Sequence, residues 1–92
     1  MIASFRHRGL KRLYEQEDSR RLPHDMVDRI RAILVRLAIA NTIEDMDVHE
    51  YRIHELKGDR KGTWSVVVRA NWRITFRFED GYAFDVNFED YH

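Results

Sequence analysis

In residues 24 to 40 the apolar side chains Met26, Ile30, Ile33, Leu34 and Leu37 recur at i, i+4, i+7, i+8 and i+11, the spacing that gathers them on one face of an α-helix. Pro23 stands at the front of this stretch, and Asp25 and Asp28 lie near its positive N-terminal end, which predicts where the helix begins. Upstream, "MIASF" is a short apolar segment that predicts a strand, and "GLKRLYEQ" predicts a shorter helix through Leu10, Leu13 and Tyr14. In the C-terminal third the period drops to two. Residues 64 to 69, 72 to 78 and 82 to 88 alternate as strands do, with Asp80-Gly81 a strong hairpin turn and Ala70-Asn71 a weaker one. Residues 41 to 63, acidic in "NTIEDMDVHE" and glycine-punctuated and basic in "KGDRKG", read mostly as connection, and long connections in small domains are often functional. The predicted fold is α+β in the order β-α-α-β-β-β, an antiparallel sheet with two helices packed on one face, as a single domain over residues 1–92.

Strand parity divides the predicted sheet into two faces. Trp64, Val66, Val68, Trp72, Ile74, Phe76, Phe78, Tyr82, Phe84, Val86 and Phe88 are expected to meet the helices. Ser65, Val67, Arg69, Arg73, Thr75, Arg77, Ala83, Asp85, Asn87, Glu89 and Tyr91 are expected on the uncovered face. That accounts for the guanidinium groups in "VRANWRITFRF": a one-sided sheet needs a polar outer face, and Arg77 is expected to pair with Asp85 or Glu89. Arg73 differs, because it follows the Asn71 turn at the rim, where the terminal "EDYH" can approach it in register.

Composition narrows the function classes. Ninety-two residues, 43% of them hydrophobic, suffice for one modest core. No run of about 18 apolar residues occurs, and "MIASFRHRGLKRLYEQ" lacks the apolar centre of a signal peptide, so neither membrane association nor export is expected, and a cytoplasmic location is. Without cysteine there is no disulfide or thiolate metal framework. Sixteen basic and sixteen acidic residues balance, which excludes a simple polycation for nucleic acid. Their distribution is uneven: residues 52 to 77 hold seven Lys or Arg against two acids, and residues 78 to 92 hold five acids and no Lys or Arg.

The rim cluster suits RNA. Arginine binds phosphate through paired hydrogen bonds and lysine as a point charge, while Tyr or His can stack on an unpaired base. Metal-free RNA cleavage needs a base for the 2′-OH proton, a fixed positive charge for the phosphorane-like state and an acid for the leaving 5′-oxygen. His54, Asp90, Tyr91 and His92 offer titratable groups, and Arg73 the charge. From composition alone this remains one hypothesis among several. The five histidines suggest metal binding as a rival, but none of their spacings matches a standard metal pair, so no metal and no other cofactor is expected. His7 and His24 are simplest as surface or capping residues, and His49 as a loop residue.

Three stretches, "SFRHRGLKRLYE", "YRIHELKGDRKGTWSVVVRANWRITFRF" and "FEDYH", closely resemble the HigB-type toxins of the RelE-like toxin–antitoxin superfamily. The resemblance runs nearly end to end, although residues 16 to 50 carry little that is diagnostic. It implies a RelE-like fold and a ribosome-dependent endoribonuclease that cleaves translated mRNA in the A site. Residue by residue it points to His54, Asp90, Tyr91 and His92 as acid–base and orienting groups and to Arg73 as the stabiliser of the scissile phosphate. Lys57 and Asn71 would hold mRNA, and Arg69 would assist electrostatically. The implied partners are the 70S ribosome, whose 16S rRNA "KGDRKG" and Arg6, Arg8, Lys11 and Arg12 could meet, and a cognate helix-turn-helix antitoxin through which alone operator DNA is contacted. The alternative is a non-catalytic module of the same fold that binds ribosome or antitoxin; its mark would be loss of the rim residues, all of which are present.

Overall fold

The computed structural model describes residues 1–91. Helix α1 spans Arg8–Gln16 and begins where the imidazole Nδ1 of His7 accepts the Leu10 N–H at 3.2 Å, which satisfies one of the donors a helix start leaves open. Burial of His7 lowers its pKa and favours the neutral ring that can accept. Glu17 closes the helix in the left-handed region at φ 54°, with its N–H bonded to the Leu13 carbonyl. After Pro23, a single 3₁₀ turn (His24–Met26) leads into α2, Val27–Ile39. Val27, Ile30, Ile33, Leu34 and Leu37 are its buried face; the spacing predicted the last four, whereas Met26, expected with them, falls in the 3₁₀ turn and is only half-buried, and Val27 takes the buried place.

Four strands form one antiparallel sheet in the order β1-β2-β3-β4: His54–Glu55, Thr63–Arg69, Trp72–Glu79 and Tyr82–Asp90. Ile74, Phe76, Val66 and Val86 from the sheet meet Leu10, Leu13, Ile30, Ile33, Leu34 and Leu37 from the helices in the core. The last three strands and both helices fall where the sequence predicts them. The region expected to be mostly connection instead holds β1 and three short 3₁₀ turns, Ile43–Met46, His49–Tyr51 and Gly58–Arg60. "MIASF" lies beside β4 in the parallel sense through two isolated bridges, Ile2 to Ala83 and Phe5 to Val86. A continuous ladder fails there because the Asp85 N–H donates to the Ser4 hydroxyl at 2.9 Å rather than to a backbone carbonyl.

Two β-bulges correct the parity assignment. Across β3 and β4, Thr75 pairs with Asn87 but Arg77 with Phe84, so Asp85 and Val86 together oppose Phe76, and Asp85 takes φ 55°. Before the bulge the faces exchange: Ala83 is fully buried, while Tyr82 and Phe84, expected inside, lie on Arg77's side of the sheet. The Arg77 guanidinium stands 5.6 Å over the Phe84 ring and Nε donates to Asp85 at 3.2 Å. A second shift between Val67 and Arg69 pairs Arg69 with Trp72 and turns it toward the helices, where it forms an ion pair with Asp25. Arg69 is therefore not on the uncovered face.

That face is also less open than parity suggested. Ser65 and Thr75 are 0% and 2% exposed, because the Gly58–Arg60 turn folds against the strands and Arg60 reaches across to Glu89.

At the β2–β3 turn Ala70 adopts φ 51°, a conformation that an L side chain resists and glycine does not. Ala70→Gly is expected to raise stability by about 0.5 kcal/mol, a gain of roughly 2 to 4 °C in Tm for a domain this small. A drop in the thermal unfolding midpoint would show that the turn's strain is relieved by its neighbours.

Candidate active site

The outer face of the sheet is organised in cross-strand rows. His54 opposes Ser65, Ser65 opposes Thr75, and Thr75 opposes Asn87. One row nearer the β2–β3 turn, Val67 opposes Arg73 and Arg73 opposes Glu89. At the rim Trp72 opposes Asp90, and the Tyr91 N–H donates to the Asn71 carbonyl at 2.8 Å. Tertiary structure thus brings Asn71, Arg73, Asp90 and Tyr91 to one end of the sheet. His54, exposed on β1, shares the outer face with Arg73 across β2, at about 12 Å between Cα atoms by strand spacing, a gap that a nucleotide can occupy. Lys57 is exposed and leads into the Gly58–Arg60 turn. His92 lies outside the described residues.

Arg73 is half-buried, and its guanidinium is held by the carbonyls of Ala70 (2.5 Å) and Trp72 (3.3 Å). None of the ion pairs among the described residues involves it, and its Nε is buried without a partner. A guanidinium tethered by backbone and not neutralised by a carboxylate is suited to an anionic ligand. Tyr91 beside it and His54 across β2 add groups able to exchange protons, whereas Asp90 pairs with Trp72 and shares that residue's row on the helix side. Arg69 is excluded from this cluster by its turn toward Asp25.

Sequence reasoning missed the network beneath the cluster. Arg60 binds Glu89 through two parallel hydrogen bonds of 2.8 Å each. The same carboxylate accepts from Thr75 Oγ1 at 2.6 Å and Asn87 Nδ2 at 3.4 Å. Arg77 takes Asp85, one of the two partners expected for it, while Glu89 goes to Arg60, a partner in a loop 29 residues away that no local pattern identifies. Beside these groups a shallow cavity of about 230 Å³ is lined in part by Arg6, Arg60, Thr75, Arg77 and Asn87.

The Arg60 hydrogen bonds, against opposing desolvation and with help from Thr75, hold the Glu89 carboxyl down at about 2. A depressed carboxyl stabilises the folded state above its unfolded value of 4.5 and loses that contribution as pH falls through the folded value. Stability is therefore expected to decline between about pH 4.5 and pH 2, and Glu89→Gln should flatten that part of the curve. Urea titrations of both proteins across the window check this; equal slopes would contradict it.

Among the described residues no group of three or more His, Cys, Asp or Glu is placed to hold a metal ion, and no helix is long and apolar enough to cross a membrane.

Comparison with known proteins shows the family and the fold. Residues 3–92 match the family described as RelE-like toxin of type II toxin-antitoxin system HigB. The chain is 49% identical over 92 residues to endoribonuclease HigB of Proteus vulgaris, covering 100% of both chains. Among solved structures it resembles YafQ of E. coli strain BL21(DE3) with a TM-score of 0.62 at 17% identity, covering 98% of this chain and 91% of that one. The YoeB/ParE toxin of Agrobacterium tumefaciens gives 0.58 at 20% identity, with 96% of each chain covered. The YoeB-YefM complex of Staphylococcus aureus gives 0.59 at 14% identity, covering 100% and 95%. These structural likenesses carry the fold, and the family match together with the full-length relative shows that this chain belongs to the HigB-like family of RelE-like toxins of type II toxin–antitoxin systems.

Proposed function

We propose that this protein is a ribosome-dependent endoribonuclease that cleaves translated mRNA in the A site and so arrests translation and growth. The observation that carries the reading is Arg73, a half-buried guanidinium that joins no ion pair among the described residues, set at the rim beside Tyr91 and Asn71. The full-length relative named as an endoribonuclease supports it.

The reaction needs no metal. A base takes the 2′-OH proton, the 2′-oxygen attacks the adjacent phosphorus, and the P–O5′ bond breaks. An acid protonates the departing 5′-oxygen, which leaves a 2′,3′-cyclic phosphate and a 5′-hydroxyl. Arg73 stabilises the charge that builds on the phosphate oxygens. His54, Asp90 and Tyr91, with the terminal His92, share proton transfer and orientation, and act as a set whose single losses do not add. Lys57 and Asn71 hold the message. Arg69 touches none of this, since it is paired with Asp25.

Partners follow from the same reading: the 70S ribosome through its 16S rRNA, mRNA, and a cognate helix-turn-helix antitoxin through which operator DNA is reached, all in the cytoplasm. A YoeB-YefM complex among the structural neighbours supports the antitoxin. Exposed Arg8, Lys11, Lys57 and Lys61 are available to rRNA phosphates, and ribosome binding should weaken as salt rises.

The test adds purified protein to 70S ribosomes carrying a short labelled mRNA with adenosine-rich A-site codons, beside the same RNA alone. Cuts confined to the programmed complex support the reading. Ribosome binding without cuts would make the protein a non-catalytic module, and cutting of free RNA would remove the ribosome from the mechanism. Histidine changes charge near neutrality, so the single-turnover rate should vary between about pH 5 and pH 8.

A further inference from the structure

We infer that Arg60 is a positioning residue: by occupying the Glu89 carboxylate it keeps Arg73 free to bind the scissile phosphate. The inference rests on the cleavage reading above.

Register makes Glu89 the direct cross-strand partner of Arg73, and directly opposed residues have Cβ atoms about 5 Å apart on one face of the sheet. An arginine and a glutamate in that relation would ordinarily pair with each other. Here they do not. Both carboxylate oxygens of Glu89 take the Arg60 guanidinium at 2.8 Å, Oε2 also accepts from Thr75 and Asn87, and Arg73 turns instead to the backbone carbonyls of Ala70 and Trp72. The carboxylate is thus filled by a cation from the Gly58–Arg60 turn, and the cation of β3 keeps its charge. Glu89 stays ionised throughout the pH range in which ribosomes are intact, since Arg60 holds its carboxyl at about 2. If Arg60 is lost, that anion is left with two neutral donors and an arginine directly opposite. Arg73 is then the cation that meets it, and phosphate must compete with a fixed carboxylate for the same guanidinium.

This differs from a clamp that merely anchors the Lys57 loop to β4. A clamp needs both partners, so removing either would be equally harmful and removing both would restore nothing. Charge diversion needs only that Glu89 be satisfied or neutral, so a second substitution rescues the first.

The experiment compares Arg60→Ala, Glu89→Gln and the double variant Arg60→Ala/Glu89→Gln in single-turnover cleavage on programmed 70S ribosomes, with thermal unfolding to establish that each is folded. Arg60→Ala is expected to slow cleavage by about tenfold or more, since it masks a charge whose outright loss is larger still. Glu89→Gln and the double variant should both cut within about threefold of the parent, because uncharged Gln leaves Arg73 free. A double variant as slow as Arg60→Ala, or an Arg60→Ala protein as fast as the parent, overturns the inference. A crystal structure of Arg60→Ala reads it without cleavage: the Arg73 guanidinium should lie within about 4 Å of the Glu89 carboxylate, and its persistence on the Ala70 carbonyl overturns the inference. Absence of cutting by the parent protein would count against the cleavage reading, and the Arg60→Ala structure would still decide where Arg73 goes.

Discussion

Arg73→Ala is expected to lower single-turnover cleavage of mRNA on programmed ribosomes by about 100- to 1000-fold, the usual loss when one preorganised stabiliser of a developing oxyanion is removed. The guanidinium is placed for this before substrate arrives. Carbonyls of Ala70 and Trp72 hold one nitrogen, the ring stack of Trp72 on Phe88 at 4.7 Å stiffens the strand beneath it, and none of the ion pairs among the described residues consumes its charge. Folding should survive, because the bonds lost are local to the turn and worth about 0.5 to 1.5 kcal/mol each. Arg73→Lys should recover only part of the rate, since an ammonium cannot offer the planar fork that grips two phosphate oxygens. Induced expression should then arrest growth with the parent and not with Arg73→Ala, while both proteins unfold cooperatively and sediment with ribosomes. A folded, ribosome-bound Arg73→Ala protein that still cuts at the parent's rate would remove this site from the mechanism.

Phe76→Ala is expected to destabilise the protein by about 3 to 5 kcal/mol. The ring is fully buried at the centre of β3 and is the largest of the fully buried side chains, so truncation loses its transfer free energy and leaves a cavity the sheet cannot close. Against a typical total of about 5 to 15 kcal/mol, that is enough to leave part of the chain unfolded at growth temperature. Toxicity should fall with it, through abundance rather than chemistry. Ile39→Ala is the control: a side chain 74% exposed at the end of α2 should change stability by about 0.5 kcal/mol at most. Urea unfolding of the three proteins measures both. A Phe76→Ala loss no larger than that of Ile39→Ala would mean the core is not built around β3.

The two predictions separate cleanly because the site and the core use opposite faces of one strand. Ile74 and Phe76 face the helices, while Arg73 and Thr75 face the outer side. On β3 that alternation is readable from sequence, since its inward row is unbroken. On β2 and β4 it is not, because each carries a bulge. A bulge changes the count on one strand relative to its partner, so nothing in the local pattern of "YAFDVNF" marks Asp85 as the residue that reverses Tyr82 and Phe84. Arg69 moved for the same reason, from an expected place on the outer face to Asp25 on the helix side.

β1 escaped for a different reason. Two residues, His54 and Glu55, are too short to show a period, and they become a strand only because β2 offers them an edge. Composition offers His54 only as one titratable group among several, family resemblance assigns it to the candidate site, and the structure supplies its row. The Arg60–Glu89 pair had no sequence signal at all: several cations and several acids were available, and each acid could have served any of them.

By itself the sequence determined what depends on neighbours along the chain: both helices from their 3.6-residue spacing, the three long strands from alternation, and the Asp80-Gly81 turn, where both residues take positive φ. The motifs at residues 51 to 78 and 88 to 92 likewise carried the family. Tertiary structure alone decided the register shifts, the covering of Ser65 and Thr75, and which cation each carboxylate keeps. Those are contests among groups far apart in sequence, settled by distance and geometry once the strands are paired. The free charge of Arg73 is one outcome of such a contest, with Arg60 at Glu89 as the competitor that left it unclaimed.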